Sequence, residues 1–378
     1  MDKKINFGCS SIKLTSKNNN YYYFRTCDMN DESNVWKAGS KVISFNKNYP
    51  FNFSNKEKIK SKYALLGITF GTPYERLLDG INEKGLSGGL LHYIEGTSID
   101  KTKDINKKGV EGMEIITYFL SQCANVNEVI NLASSVVVTH VIQGDNIVPA
   151  TMHYTFLDTS GESIILEADD SGNFTIYNKT VGVFTNSPGY KEHINNLSWY
   201  IASSLELSQG RKGSPPIKKF LLDGVEVIGN SSKKNYIRSD VYPGTYTSID
   251  RFIRLSTLKH LIKCGKIYND DEILLKGSEI ISSVIVPRHQ GYFYYNYLLA
   301  TDKENANYKD HDVNGNIIYG GGDNYTQYIV MYDLKNKSLY IKTDKSLVYD
   351  KITLNNKINN FIIHDINNNP LNGIINHN

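Results

Sequence analysis

The chain changes its hydrophobic period several times, and each change predicts an element. Ile5 to Leu14 alternates loosely between apolar and polar positions, Ser16-Lys-Asn-Asn-Asn20 is a turn cluster, and Tyr21-Tyr-Tyr-Phe-Arg25 has the aromatic content of a strand. A hairpin over these residues carries Arg25 and Asp28 back towards Cys9. Tyr63–Phe70 reads as a further strand, and Leu78–Leu86 as two short strands joined at Asn82-Glu-Lys-Gly85. Across 110–136 the period becomes helical: Ile115, Ile116, Phe119 and Leu120 form one apolar face, and Val126, Val129, Ile130 and Ala133 a second. A meander of strands follows at Ala150–Leu157, Ser163–Glu167, Phe174–Asn178 and Gly182–Thr185, with turns at Ser160-Gly161 and Asp170-Ser-Gly172. Ser248–Lys263 and Asp271–Ser283 read as a helix pair, and Tyr325–Tyr332 and Ser338–Thr343 return to strands. Sheets flanked by helical layers predict an α+β domain rather than a βαβ array. No Pro-, Gly- or Ser-rich linker and no internal repeat divides it, and the Asn-rich tail after Asn359 is expected to be peripheral.

Composition narrows the function classes. The 378 residues admit one large domain or two ordinary ones, and 40% hydrophobic with 21% charged residues describes a soluble globular chain. A net charge of +3, with Lys and Arg scattered, gives no footprint for nucleic acid or an anionic membrane. No apolar stretch approaches the roughly 18–20 residues of a membrane span. Four cysteines, Cys9, Cys27, Cys123 and Cys264, are too few and too irregular for a disulfide framework or a CxxC zinc site, so the reducing cytosol is the expected compartment. Phe7-Gly8-Cys9 superficially matches a lipoprotein cleavage box, which needs an apolar region of roughly 7–15 residues ahead of it. Seven residues precede Gly8, and two are Lys.

Cys9 is the first candidate for chemistry. A free cysteine is most often a small buried hydrophobe, but Arg25-Thr-Cys-Asp28 falls opposite it in the hairpin. A cationic neighbour supplies thiolate from a thiol whose ordinary pKa is about 8.5. If the Gly8–Cys9 bond is cut, Cys9 also carries a free α-amine of pKa about 7.7–8.0, close enough to neutrality to accept and return a proton. Asp28 is placed to orient that amine. Taken alone, Arg25 and Asp28 fit a structural ion pair equally well.

Six motifs, in order, extend the reading. Cys9-Ser-Ser-Ile12, Phe24-Arg-Thr-Cys-Asp28, Asp79-Gly-Ile-Asn-Glu-Lys-Gly-Leu86, Thr185-Asn-Ser-Pro-Gly189, Asp250-Arg-Phe252 and Tyr332-Asp-Leu-Lys-Asn-Lys337 make a chain that resembles the choloylglycine hydrolases and penicillin V acylases from residue 9 to about 345. The resemblance implies an N-terminal-nucleophile cysteine amidase with a four-layer αββα sandwich. It implies residues 1–8 as a leader removed autocatalytically, 9–350 as one domain and 351–378 as an extension. By resemblance Cys9 is the nucleophile, Arg25 the cation beside it, Asp28 the residue that holds the amine, Asn186 the oxyanion donor and Arg251 a second site arginine. On its own Asn186 fits an Asx-turn before Pro188, and Arg251 a solvated charge at a helix start, although a cation there gains nothing from the dipole. The substrate is expected to be a small acyl amide with a bulky apolar acyl group. The resemblance implies a homotetramer and calls for no metal or organic cofactor.

Departures bear on the substrate. His92 stands where bile-salt hydrolases typically show Asn and penicillin V acylases Tyr; the backbone N–H there serves the family's oxyanion hole. Cys27 replaces a usual Met. Cys9-Ser-Ser, and Gly88, Leu91 and Tyr93 around His92, are more similar to the penicillin V acylase side. His92, Cys27 and Tyr93 are therefore the expected substrate-binding positions. The alternatives are a bile salt hydrolase, an acyl-homoserine lactone acylase and a non-catalytic ligand-binding relative. Gly85-Leu-Ser87-Gly-Gly89 also fits a serine nucleophile elbow, which requires a strand before and a helix after, whereas Leu90-Leu-His-Tyr-Ile94 is strand-like. Asp310-His-Asp312-Val-Asn314-Gly315 opens like an EF-hand loop, but its closing acidic position is Gly321. Gly320-Gly-Gly322 lacks the Lys-Ser/Thr of a phosphate loop, and no metal-ligand spacing occurs elsewhere.

Overall fold

A computed structural model describes residues 7–29, 34–97, 106–143, 146–204, 215–230, 243–263, 268–287, 309–311, 317–319, 324–355 and 359–366. Two antiparallel sheets carry it. In chain order their strands are β1 (Phe7–Thr15), β2 (Tyr21–Met29), β3 (Val42–Phe45), β4 (Leu65–Thr69), β5 (Leu77–Asn82), β6 (Ser87–Thr97) and β7 (Ala150–Leu157). They continue as β8 (Ser163–Ala168), β9 (Phe174–Tyr177), β10 (Val183–Phe184), β11 (Tyr325–Asp333), β12 (Ser338–Thr343), β13 (Asp350–Thr353) and β14 (Phe361–His364). The first sheet runs β10-β1-β2-β11-β12-β13, and the second β9-β8-β7-β6-β5-β4-β3-β14. The tail beyond residue 350 supplies the outermost strand of each sheet.

Helices α1 (Ile115–Gln122) and α2 (Val126–Ala133) pack on the second sheet. On the first sheet lie α4 (Ser248–Lys263) and α5 (Asp270–Ser282), with α3 (Tyr190–Ser203) against α4. The order helix, sheet, sheet, helix is the expected αββα sandwich. Of the expected faces, Ile115, Ile116, Phe119 and Leu120 of α1 and Val126, Val129 and Ala133 of α2 are buried, while Ile130 is half-buried. Asn269 and Glu272 form a capping box that starts α5.

The two sheets meet face to face where β1 lies against β6. Glycine on β6 permits the approach. A Cβ at Gly89 would stand 2.7 Å from the Tyr23 hydroxyl and 3.4 Å from Arg25 Cδ; on the other face of β6, one at Gly88 would stand 2.6 Å from the ring of Phe156 on the neighbouring strand β7. These glycines, which sequence alone matches to a serine elbow, are packing positions. Between the sheets sits a core that includes Cys9, Cys27, Leu91, Val330 and Tyr332.

Candidate active site

Antiparallel register builds the site first. Gly8 pairs with Asp28, Cys9 with Cys27, Ser10 with Thr26, and Ser11 with Arg25. Because side chains alternate along a strand, Cys9, Ser11, Arg25 and Cys27 share one face, and Ser10, Thr26 and Asp28 the other. The first face looks at the second sheet. The other looks at α4 and α5.

On the inner face Arg25 is fully buried and donates through Nη2 to Cys9 Sγ at 3.3 Å and to the Leu90 carbonyl at 2.7 Å. Its Nη1 pairs with Asp79 and donates to the Tyr328 hydroxyl at 2.8 Å. Asp79, also fully buried, takes hydrogen bonds from Tyr328 (2.6 Å) and Tyr332. A buried guanidinium would be untenable alone. Asp79 neutralises it, and the two tyrosines fill the remaining carboxylate positions. Burial pushes the Cys9 thiol up; a hydrogen bond from Cys27 and the charge of Arg25 outweigh it, so the net shift is down. For Cys27, burial and the neighbouring Cys9 act together and raise the thiol well above its ordinary range. Of the pair, Cys9 is thus the thiol that ionises more readily, with Cys27 its hydrogen-bond donor.

The opposite side holds the backbone of Cys9. Its N–H donates to Asn186 Oδ1 at 2.7 Å, and its carbonyl accepts from Arg251 Nη1 at 2.6 Å. Arg251 Nη2 reaches Asn186 Oδ1 at 2.8 Å, Nη1 bonds the Ser10 hydroxyl, and Asp28 Oδ2 lies 3.8 Å away. Asp28 is held by the hydroxyls of Thr326 (2.6 Å) and Thr26 (3.5 Å). Burial raises its carboxyl against the opposing effects of Arg251 and those hydroxyls. A side chain at position 8 would meet Asp28, since a Cβ on Gly8 would stand 3.0 Å from Asp28 Cβ.

Asn186 is tied to the second sheet as well, its Nδ2 donating to the His92 carbonyl at 3.1 Å. Two histidines hold the loop that carries it. His153 Nε2 lies 2.9 Å from the Thr185 carbonyl and His193 Nε2 2.7 Å from the Asn186 carbonyl. Burial lowers the pKa of both, His193 to about 4. Tyr93 stacks on His153 with ring centroids 4.7 Å apart and planes 4° from parallel. Burial, with a smaller effect of His153, brings His92 to about 4, so its half-buried imidazole is neutral at neutral pH.

The structure brings together Cys9, Cys27, Arg25, Asp28, Asn186 and Arg251, with His92 joined through its backbone. Tyr93 sits one residue further on, against His153. Ser87 opens β6 rather than an elbow, is fully buried, and gives its hydroxyl to the Gly80 carbonyl at 2.9 Å. No helix follows it, so the serine reading is corrected. Lys309–His311 and Ile317–Tyr319 pair as a short ribbon, while 312–316 and 320–323, Cys264, and residues 1–6 of the expected leader lie outside the described residues.

Asp79 lies within the third of the six motifs, and the sequence alone assigns it no role. The signal was present: one carboxylate inside Leu77-Leu-Asp-Gly-Ile81 is costly to bury without a partner. Tyr328, Thr326, His153 and His193 carried no comparable signal, because each has an ordinary place in a strand or helix pattern.

A sequence model of the linear amide C–N hydrolases, choloylglycine hydrolase family, matches residues 9–317. A bile salt hydrolase/transferase of Clostridium perfringens is 26% identical over 283 residues, 74% of this chain and 80% of its own. A penicillin V acylase of Pectobacterium atrosepticum is 27% identical over 224 residues, 55% of this chain and 50% of its own. The fold is similar to the crystal structure of a mutant conjugated bile acid hydrolase from Clostridium perfringens. The TM-score is 0.72 at 22% identity, across 98% of this chain and 99% of that one. With the αββα layers and a family match over residues 9–317, the chain belongs to the choloylglycine hydrolase family of linear amide C–N hydrolases.

Proposed function

We propose that this hydrolase uses Cys9 as an N-terminal nucleophile, after its own thiol has attacked the Gly8 carbonyl and released residues 1–8. The observation that carries the reading is the grip on one residue at three atoms. Arg25 holds the sulfur (3.3 Å), Asn186 the nitrogen (2.7 Å) and Arg251 the carbonyl (2.6 Å). A residue that loses its upstream peptide bond needs such anchors to keep its place.

In the mature chain the Cys9 thiolate attacks the amide carbonyl. The α-amine, now carrying the thiol proton, passes it to the departing amine, and water then resolves the thioester. Asn186 Oδ1 orients the Cys9 nitrogen, and Asp28 compensates the Arg251 charge beside it. The tetrahedral oxyanion is assigned to the Asn186 amide and the backbone N–H at His92. Cys27 and Tyr93 belong to the proposed substrate region, Cys27 beside the sulfur and Tyr93 through the wall it forms with His153. A homotetramer working in the cytoplasm is part of the same proposal.

Two acyl classes follow. Gly88, Leu91 and Tyr93 around a neutral His92 favour the phenoxyacetyl amide of penicillin V. The bile salt hydrolase/transferase, similar over the larger share of the chain, favours a steroid acyl conjugate. The test is released amine across penicillin V, conjugated bile salts and acyl-homoserine lactones, with Cys9→Ala as control. Expected is release from one class by the unmodified chain and none by the variant, which keeps residues 1–8. Release by Cys9→Ala, or from no class, overturns the reading; the latter outcome is that of a ligand-binding relative.

A further inference from the structure

We propose that Cys27 is a resolving thiol, so that a hydroperoxide converts Cys9 and Cys27 into a reversible cross-strand disulfide. The two residues are direct partners across β1 and β2 and share the inner face. Directly opposed residues of an antiparallel pair have Cα atoms about 4.5–5.5 Å apart, inside the range of about 4.4–6.8 Å that a disulfide requires. Both cysteines are free and fully buried. Cys123, the third described cysteine, caps the end of α1 on the far side of the second sheet and cannot compete. The hydrolysis proposed above makes no covalent use of Cys27.

The chemistry starts at Cys9, whose sulfur stands 3.3 Å from the Arg25 guanidinium that favours its ionised form. Its sulfur attacks one peroxide oxygen, forming S–OH as the O–O bond breaks and hydroxide leaves. The Cys27 sulfur then attacks the sulfenic sulfur, the S–S bond forms, and the hydroxyl departs with the Cys27 proton as water. A dithiol returns two electrons and two protons and restores both thiols. Without a resolving thiol, a second peroxide carries the sulfenic acid on to sulfinic acid, which a dithiol does not reverse. Any path that admits an amide carbonyl to the sulfur admits a peroxide, which is smaller. Cys27 therefore turns a lethal oxidation into a temporary one.

The experiment titrates the purified, reduced protein with hydrogen peroxide and follows intact mass, peptide map and amide hydrolysis. The unmodified chain is expected to lose about 2 Da, yield a Cys9–Cys27 cross-linked peptide, and regain its activity with dithiothreitol. Cys27→Ser and Cys27→Ala, each normalised to its own starting activity, are expected to gain about 32 Da at Cys9 and recover roughly tenfold less. The proposal fails if the unmodified chain goes to sulfinic acid without the cross-link, or if both variants recover as fully as it does. A cross-link that forms while hydrolysis continues unchanged supports the disulfide and instead overturns Cys9 as the nucleophile.

Discussion

Asp79→Asn is the perturbation that reads the buried charge pair most clearly. Arg25 and Asp79 are both fully buried, and Asp79 accepts from Arg25, Tyr328 and Tyr332. The amide keeps the shape of the side chain but removes its charge, leaving the buried guanidinium without its carboxylate partner. Breaking such a pair from one side costs about 3–5 kcal/mol, a large part of the roughly 5–15 kcal/mol that holds a domain folded. Arg25→Met strands Asp79 in the same way and is expected to cost a similar amount. Removing both charges, as Arg25→Met with Asp79→Asn, relieves the stranded partner, so the double variant should cost less than the sum by about 2 kcal/mol or more. Urea unfolding followed by tryptophan fluorescence, from Trp199 and from Trp36, whose ring stands 5.8 Å from that of Tyr328, gives all four stabilities. An Asp79→Asn cost below about 1 kcal/mol, or additivity of the two single variants, refutes the compensation argument.

Asn186→Ala should lower kcat by about 10²–10³-fold with a much smaller change in KM, since it removes a donor used chiefly in the transition state. A loss confined to KM would assign Asn186 to ground-state binding instead. A pH prediction comes from Glu114, which is 1% exposed, with Ser54 Oγ 2.6 Å from its Oε1 and also bonded to Glu111. One hydroxyl hydrogen cannot serve two carboxylates, so one carboxyl carries a proton. Burial, opposed by Ser54 and reinforced by Glu111, raises Glu114 from 4.5 to about 7. The folded chain then holds a proton that the unfolded chain releases. The associated stability is full below about pH 4.5 and is lost as pH rises through 7, by about 3 kcal/mol in total. Glu114→Gln should flatten that slope in urea titrations between those pH values, and an unchanged slope counts against the assignment.

The hairpin of β1 and β2 was legible because its strands alternate around a polar turn, and it alone brings Arg25, Cys27 and Asp28 beside Cys9. The meander from β7 to β9 was legible as well, but β10, expected to continue it, crosses to the first sheet and pairs with β1. Helix α3 was not, because its buried stripe includes His193, Asn196 and Ser198, which blunt the apolar period. The closing strands β13 and β14 are short and lie within Asn-rich sequence, which reads as surface. Asn186 and Arg251 stand 177 and 242 positions from Cys9, so no local pattern connects them to it. They came from motif resemblance, and the structure adds what each touches. The grip of Asn186 on the Cys9 nitrogen, rather than on a substrate oxygen alone, was readable only from three-dimensional contacts.

The most direct test of the central claim is intact mass and peptide mapping of the enzyme quenched during turnover of a substrate it hydrolyses. The account predicts a chain that begins at Cys9 and carries the acyl group as a thioester on that residue. A chain that turns over at full rate while retaining Met1–Gly8, or that carries the acyl group on any other residue, contradicts it.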